Sequence, residues 1–197
     1  MKVEPVVLIG RHVRLEPLSE AHAAGLAEAG QDPSIWRYLA YAQVNSVEKA
    51  EAWVRHQLEK KASGTEQPFA VIHLESGKVA GSTRYMDIRP EHRGLEIGGT
   101  WYGAAFQRTA VNTEAKYLLL RHAFDVLGCI RVQLKTDVRN ERSQKAIERI
   151  GAVREGVLRN HMLLPDGTYR DSVFFSIIER EWPGVKAHLE KMLARVY

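Results

Sequence analysis

The densest run of residues able to do chemistry lies between Glu96 and Ala152. Within it, Tyr102-Gly103-Ala104-Ala105-Phe106-Gln107-Arg108-Thr109-Ala110-Val111-Asn112-Thr113-Glu114-Ala115-Lys116 reads as a strand end, a short loop and the start of a long helix. A loop feeding a helix N-terminus aims unpaired backbone N–H groups and a positive dipole end at one point, which suits a diphosphate. Arg108 adds charge there, and Asn140-Glu141-Arg142-Ser143, with Lys145 and Arg149, adds more on the next helix. Many sheet-to-helix loops share this pattern, so alone it names no ligand. Other chemistries are thinly represented. The eight histidines form no HExxH or comparable pair, so no metal site is expected. Gly-x-Ser-x-Gly, GxxxxGK[ST] and GxGxxG are absent. Cys129, the only cysteine, follows a helix stop and precedes an apolar strand, the setting of a buried inert thiol. A single cysteine also excludes an internal disulfide and a cysteine-based zinc cluster.

The net charge of +4 is unevenly spread. Residues 1–98 carry 12 Lys+Arg against 13 Asp+Glu, and residues 99–197 carry 16 against 11. Part of the excess is Arg131, Lys135, Arg139, Arg142, Lys145 and Arg149, interrupted by Asp137, Glu141 and Glu148. This local patch suits a compact phosphorylated ligand better than a duplex, and reads equally as a solvated helix face with internal ion pairs. A pI near 9.2 is the only hint of nucleic acid. With no basic arm and no aromatic-basic alternation, no nucleic-acid partner is expected.

These residues must be positioned by the elements around them. Residues 6–15 read as two short extended pieces about a Gly turn. Ser19 opens an Ala-rich helix to Gly30, Asp32-Pro33 a short turn of helix, and Ser46 a longer amphipathic helix. Strands follow at 69–74 and 79–86 across a hairpin turn, then at 95–102, with Gly98-Gly99 inside the last. Paired glycines in a strand suggest a bulge or a close backbone approach. A helix over 113–127, a strand over 130–136 and a helix from Asn140 or Glu141 come next. Strands at 153–164 and 169–178 flank Pro165-Asp166-Gly167, and Trp182-Pro183 starts a final helix. The order argues for an α/β fold with a mixed sheet and helices on both faces. At 197 residues, 45% hydrophobic and 26% charged, the chain suits one domain. It has no apolar run near the roughly 20 residues of a membrane span and no signal-peptide pattern at its start. No membrane partner and a cytoplasmic location are expected.

The order Glu96-Ile97-Gly98, Gln107-Arg108-Thr109-Ala110-Val111-Asn112-Thr113-Glu114-Ala115, Asn140-Glu141-Arg142-Ser143, Ile150-Gly151-Ala152 and Arg154-Glu155-Gly156-Val157-Leu158-Arg159 resembles the GNAT acyltransferases. Within them it is similar to the RimJ/RimL-type N-acetyltransferases, as are Tyr169-Arg170-Asp171-Ser172-Val173 and Glu181-Trp182. The resemblance runs from about Leu8 to Trp182. It implies one domain over 1–182, with 183–197 as its C-terminal helix. The implied sheet is mostly antiparallel and splayed at the bulged strand, with pantetheine between the parted strands.

The implied reaction moves an acetyl group from acetyl-CoA to a primary amine, a protein N-terminus or a small molecule, by direct attack in a ternary complex. The resemblance places the diphosphate on Gln107, Arg108, Thr109, Ala110, Val111 and Asn112 and on the helix start at Thr113. It assigns Asn140 to the cofactor arm, Lys145 to the adenosine 3′-phosphate and Ser143 to protonation of the departing thiolate. N–H groups near Gly99 to Trp101 would polarise the thioester carbonyl. Glu96 is the candidate to take the amine's proton, directly or through water, and reads equally as an outward polar strand residue. Trp36, Tyr38, His161 and Tyr169 are the candidates for the acceptor wall, although Trp36 and Tyr38 also suit core-edge packing. The loop departs from the family pattern, with Ala110 where glycine is usual and Asn112 where glycine or alanine is usual. An altered loop is expected, in which Asn112 tolerates a left-handed backbone or caps the helix. The alternative is a non-catalytic or slow acyl-CoA-binding regulator on the same fold. Members of the branch often form homodimers, and the final helix is a candidate contact.

Overall fold

A computed structural model describes residues 1–164 and 166–195. Its centre is one eight-stranded sheet in the order β1-β2-β3-β4-β5-β6-β8-β7. The strands are β1 (Leu8–Ile9), β2 (Val13–Pro17), β3 (Gln67–His73), β4 (Val79–Arg89), β5 (Gly94–Tyr102), β6 (Arg131–Asp137), β7 (Val153–Leu163) and β8 (Tyr169–Ile178). All neighbours are antiparallel except β5 and β6. The mixed sheet with helices on both faces is therefore as expected.

Alternation along the strands sends successive side chains to opposite faces. In β3, Phe69 and Val71 join one core, with Leu118, Leu119, Val132 and Phe175, while Ala70 and Ile72 join the other, with Leu26, Trp53 and Trp101. Helices α1 (Ala23–Ala29) and α2 (Val47–Ala62) cover the second face. Helices α3 (Ala110–Arg121), α4 (Glu141–Arg149) and α5 (Trp182–Ala194) bring their apolar residues to the first. Trp182, Val185 and Leu189 set α5 into that core. Polar side chains start the helices as the sequence suggests, with Ser46 accepting from Lys49 N and Asn140 from Ser143 N. Pro165 lies outside the described residues; beside it, Gly167 N donates to Leu164 O and Leu164 N to Thr168 O.

The long helix differs from expectation at both ends. It starts at Ala110 rather than Thr113, because Thr109, in an extended conformation, accepts from Val111 N and so caps it. The α-helix gives way at His122 to a wider turn through Val126. Tyr85 Oη donates to Leu119 O at 2.6 Å, in the last α-helical turn before this widening.

The pairing of β5 with β6 stops early. It holds only at Gly94↔Arg131, Leu95↔Val132 and Glu96↔Gln133, after which β6 continues with β8 alone as its ladder partner. On its other side β5 takes one extra residue against β4 between Gly98 and Trp101. Gly99 sits at φ +57, where a Cβ would meet Arg84 Cζ at 2.6 Å, and a Cβ at Gly98 would meet Glu96 Oε1 at 2.7 Å. Two glycines are needed because two charged side chains pass directly over the bulge.

The turn before β2 is anchored from a distance. The buried Glu114 carboxylate on α3 accepts from the backbone N–H of Arg11, His12 and Val13 at 2.8, 2.6 and 2.8 Å. A neutral amide offers one acceptor oxygen and turns an NH2 toward these donors. Glu114→Gln is expected to lower the unfolding free energy by about 1–3 kcal/mol. Urea denaturation measures it, and an unchanged midpoint would show that the turn stands without the carboxylate.

Candidate active site

A cavity of about 540 Å³ opens where β5 and β6 part, walled by Ile97 to Tyr102 on one side and Leu134 to Thr136 on the other. It reaches the loop before α3 at one end and the segment from Ile35 to Tyr41 at the other.

The loop end is built for anions. Beyond Tyr102 the chain makes one tight turn over Ala104–Phe106, passes through Arg108 at φ +60 and enters α3 at Ala110. The left-handed position therefore falls on Arg108, and Ala110 needs only ordinary helical geometry. Thr109 takes the capping role expected of Asn112. First-turn N–H groups have no acceptor within the helix and face outward with the positive end of its dipole. Gln107 Nε2 donates to Tyr102 O at 2.9 Å, and Gln107 Oε1 accepts from Arg142 Nη1 at 2.8 Å. Arg149 Nη2 donates to Thr113 Oγ1 at 3.0 Å, a second tie between α3 and α4.

Charges along this segment divide into two groups. Arg131 pairs with Glu155, Lys135 with Glu96 and Arg139 with Asp137. Arg108, Arg142, Lys145 and Arg149 line the cavity, and none forms an ion pair among the described residues. The last three recur at helical spacing on α4 and share a face. Thr109, Asn112, Asn140 and Ser143 complete this wall, with Asn140 Oδ1 held by Ser143 N at 3.1 Å. Ala110, Val111 and Thr113 are buried beneath it and outside the cavity lining.

The opposite end is buried and charged. Glu96, 1% exposed, lines the cavity and accepts from Gln133 Nε2 at 3.0 Å and Lys135 Nζ at 2.7 Å. Arg84 pairs with Glu66 at 2.8 Å, donates to Gln57 Oε1 at 2.6 Å and lies over the Tyr41 ring. Tyr41 Oη donates to Gly99 O at 3.3 Å, bracing the bulge, and burial pushes its phenol up to about 12. Arg170 donates from Nε to Ser172 Oγ and from Nη1 to Tyr38 O. Among the described residues no group of three or more His, Cys, Asp or Glu is arranged to hold a metal. Cys129 is buried away from the cavity, its thiol pushed up to about 11 by burial.

The four acceptor candidates separate. Tyr38 lines the cavity. His161 lies outside the cavity lining, in a separate surface hollow with Leu158 and Asp171; it is bonded through Nδ1 to Ser172 Oγ at 3.0 Å, and burial lowers its pKa. Trp36 lies in the core, its Nε1 donating to Gly30 O and its ring 4.8 Å from that of Trp101. Tyr169 is 65% exposed and outside the cavity lining. Trp101, buried against Trp36 and Trp53, does line the cavity.

Three charged lining residues have no role in the sequence reading: Arg84, Lys116 and Arg170. Lys116 had a signal, since it follows Asn112 by four positions on one helix face. Its Nζ donates to Thr100 Oγ1 at 2.8 Å, and Thr100 Oγ1 is bonded to Thr83 Oγ1.

Against known proteins, the acetyltransferase (GNAT) domain model matches residues 12–153. A crystal structure of a GCN5-related N-acetyltransferase from Brucella melitensis is 34% identical, with TM-score 0.92 over 99% of this chain and 88% of that one. A crystal structure described as a "putative acetyltransferase" from T. thermophilus is 45% identical, with TM-score 0.88 over the whole of both chains. Among curated proteins, the "Putative ribosomal N-acetyltransferase YdaF" of Bacillus subtilis (strain 168) is 33% identical over 113 residues. That match covers 57% of this chain and 61% of the relative.

Burial lowers the pKa of Lys116 from 10.5 to about 7, against the opposing pull of Glu96. Between those values the unfolded chain holds a proton on this lysine that the folded chain does not, so stability rises with pH across the window. Wild type is expected to gain stability relative to Lys116→Met between about pH 7 and 10, and the difference to level off below. Denaturation at a series of pH values reads it. A difference independent of pH would place the ammonium in a solvated environment.

Proposed function

The chain belongs to the acetyltransferase (GNAT) family, and from that premise we propose that it moves the acetyl group of acetyl-CoA to a primary amine by direct attack in a ternary complex. One observation carries this reading. A single cavity joins a wall of unpaired cations and helix N–H groups to a buried carboxylate, and it passes through the gap between β5 and β6. The donor set at the loop end fits a molecule with several phosphates, because Arg108, Arg142, Lys145 and Arg149 have no acids of their own to satisfy. In this reading Lys145 holds the ribose phosphate, the first turn of α3 holds the diphosphate, and Asn140, with its oxygen fixed by Ser143 N, presents its NH2 to the pantetheine arm.

Acetyl-CoA supplies the activated thioester; this chain's residues do the rest. Glu96, fixed by Lys135 and Gln133, attracts the acceptor's ammonium and takes the proton that must leave before the nitrogen can attack. Backbone N–H groups of the unpaired part of β5, near Gly99 to Trp101, face developing charge on the carbonyl oxygen. Ser143 Oγ, on the cavity wall in the first turn of α4, donates a proton to the sulfur as the carbon–sulfur bond breaks. Cys129 has no part in the transfer, being buried elsewhere with a raised pKa.

The ribosomal name of the Bacillus subtilis relative supports a protein N-terminal α-amine as the acceptor, with a small-molecule amine as the other source. A cytoplasmic setting belongs to the same proposal; among the described residues no helix is long and apolar enough to cross a membrane. So does a homodimer, for which the edge strand β7 offers exposed Val153, Val157, Leu158 and Leu163. The regulator reading rested on Ala110 and Asn112. It loses force because neither residue carries the left-handed backbone of the loop.

Calorimetry with acetyl-CoA and release of free CoA across a panel of amines test the reading together. Arg142→Ala and Lys145→Ala are each expected to weaken acetyl-CoA binding about tenfold. Ser143→Ala and Glu96→Gln are each expected to lower kcat by about 100-fold. No detectable binding of acetyl-CoA would sink the proposal, whereas binding without turnover on any amine would restore the regulator. Undiminished turnover by Ser143→Ala would remove its role in thiolate protonation.

A further inference from the structure

Charge in the acceptor half of the cavity does not balance. Arg84 is matched by Glu66 and Lys135 by Glu96. Arg170 is 7% exposed, lines the same space and makes no ion pair among the described residues. The carboxylates that bear on it, Asp137 and Glu96, are already engaged, the first by Arg139 through both oxygens and the second by Lys135 and Gln133. Burial lowers the pKa of Arg170 accordingly. Its position is fixed nonetheless. Nε donates to Ser172 Oγ at 3.0 Å, Nη1 donates to Tyr38 O at 3.3 Å, and no protein acceptor among the described residues takes Nη2.

A buried guanidinium without an anion is unfavourable unless an anion arrives with the ligand. Held by its Nε and Nη1 protons, it offers the remaining donors to whatever occupies the cavity, and a carboxylate matches that edge. The cofactor's phosphates have their own cations at the other end, which leaves Arg170 to the acceptor.

We infer that the acceptor is a primary amine that also carries a carboxylate, the amine nitrogen resting at Glu96 and the carboxylate on the Arg170 guanidinium. This rests on the acetyltransferase reading and narrows its acceptor. A free amino acid and a peptide with an acidic residue at its N-terminus share the required chemistry. Arg170 is then a specificity-determining residue, positioned by Ser172 and the Tyr38 carbonyl.

Matched amines differing only in that charge provide the test: γ-aminobutyrate against its amide, and a glutamyl dipeptide against its glutaminyl counterpart. The carboxylated member of at least one pair is expected to have a kcat/KM roughly 10- to 100-fold higher. Which pair shows the preference tells the free amino acid from the peptide. Arg170→Met is expected to bring the ratio near one, and Arg170→Lys to keep part of it. Equal rates within both pairs for wild type, or an undiminished ratio in Arg170→Met, would overturn the inference, whatever either variant does to folding. Calorimetry of the same amines, with and without acetyl-CoA, separates the two readings. Acetyl-CoA binding without a carboxylate preference overturns this inference alone. Carboxylate binding that depends on Arg170, in a protein that does not bind acetyl-CoA, overturns the acetyltransferase reading and leaves the anion site standing.

Discussion

Everything around the cavity depends on one broken ladder. After Glu96 the fifth strand no longer bonds to the sixth, and backbone groups on both sides of the gap face a space rather than a partner. Backbone polar groups are rarely left so in a folded chain. Here the surrounding structure holds the gap open. The extra residue at Gly98–Gly99 turns β5 away, Arg84 lies beneath Gly99, and Tyr41 takes the Gly99 carbonyl. On the far side β6 stays paired with β8 to Asp137, and the Asn140 cap starts α4 almost at once. The cations of α4 and the first turn of α3 meet across the mouth because the strands that lead to them part below it.

Charge is arranged on the same plan. A basic segment from Arg131 to Arg149 reads in one dimension as a single patch. In three dimensions Arg131 and Lys135 share one face of β6 and find acids on β7 and β5, while Arg142, Lys145 and Arg149 follow helical spacing and find none. Secondary structure decides which cations are spent on stability and which stay available to a ligand. Such exposed pairs as Arg131 with Glu155 contribute little in themselves. Their effect is to leave the α4 face with the cations that no nearby acid answers.

The sequence made the loop, the helix that follows it and the Asn140–Lys145 stretch legible, since each depends on neighbours a few positions away. Caps, turns and helical faces are local. Gly98 and Gly99 announced a bulge, though not the two side chains that require it. What stayed hidden rests on distant partners. Arg170 reads as an ordinary strand residue until Tyr38 and Ser172 fix it, and Glu114 as a surface helix acid until the turn at Arg11 to Val13 arrives. Trp36 and Tyr38 are two positions apart and equally aromatic. Only the closing of the Ile35–Tyr41 segment over Gly30 and Trp101 sends one into the core and leaves the other at the cavity. Thr109 reads as one more loop residue until its extended backbone turns its oxygen onto Val111 N.

The two ends of the cavity therefore present different electrostatic problems. At the mouth, cations near water would take the phosphates of the proposed cofactor at modest desolvation cost. Deeper in, Glu96 and Arg170 are buried among groups already paired, where an added net charge is hard to accommodate. An acceptor that is only an ammonium would answer Glu96, which already has Lys135, and leave Arg170 unanswered. An acceptor that is a zwitterion brings no net charge into the cavity and meets both groups. In the proposed transfer, once its amine has lost the proton to Glu96, the carboxylate on Arg170 would hold the now neutral nitrogen in place when its own attraction to Glu96 has gone. A positioning group away from the reacting atoms is most useful at that step, because the nitrogen must become uncharged to attack and so loses the contact that brought it there.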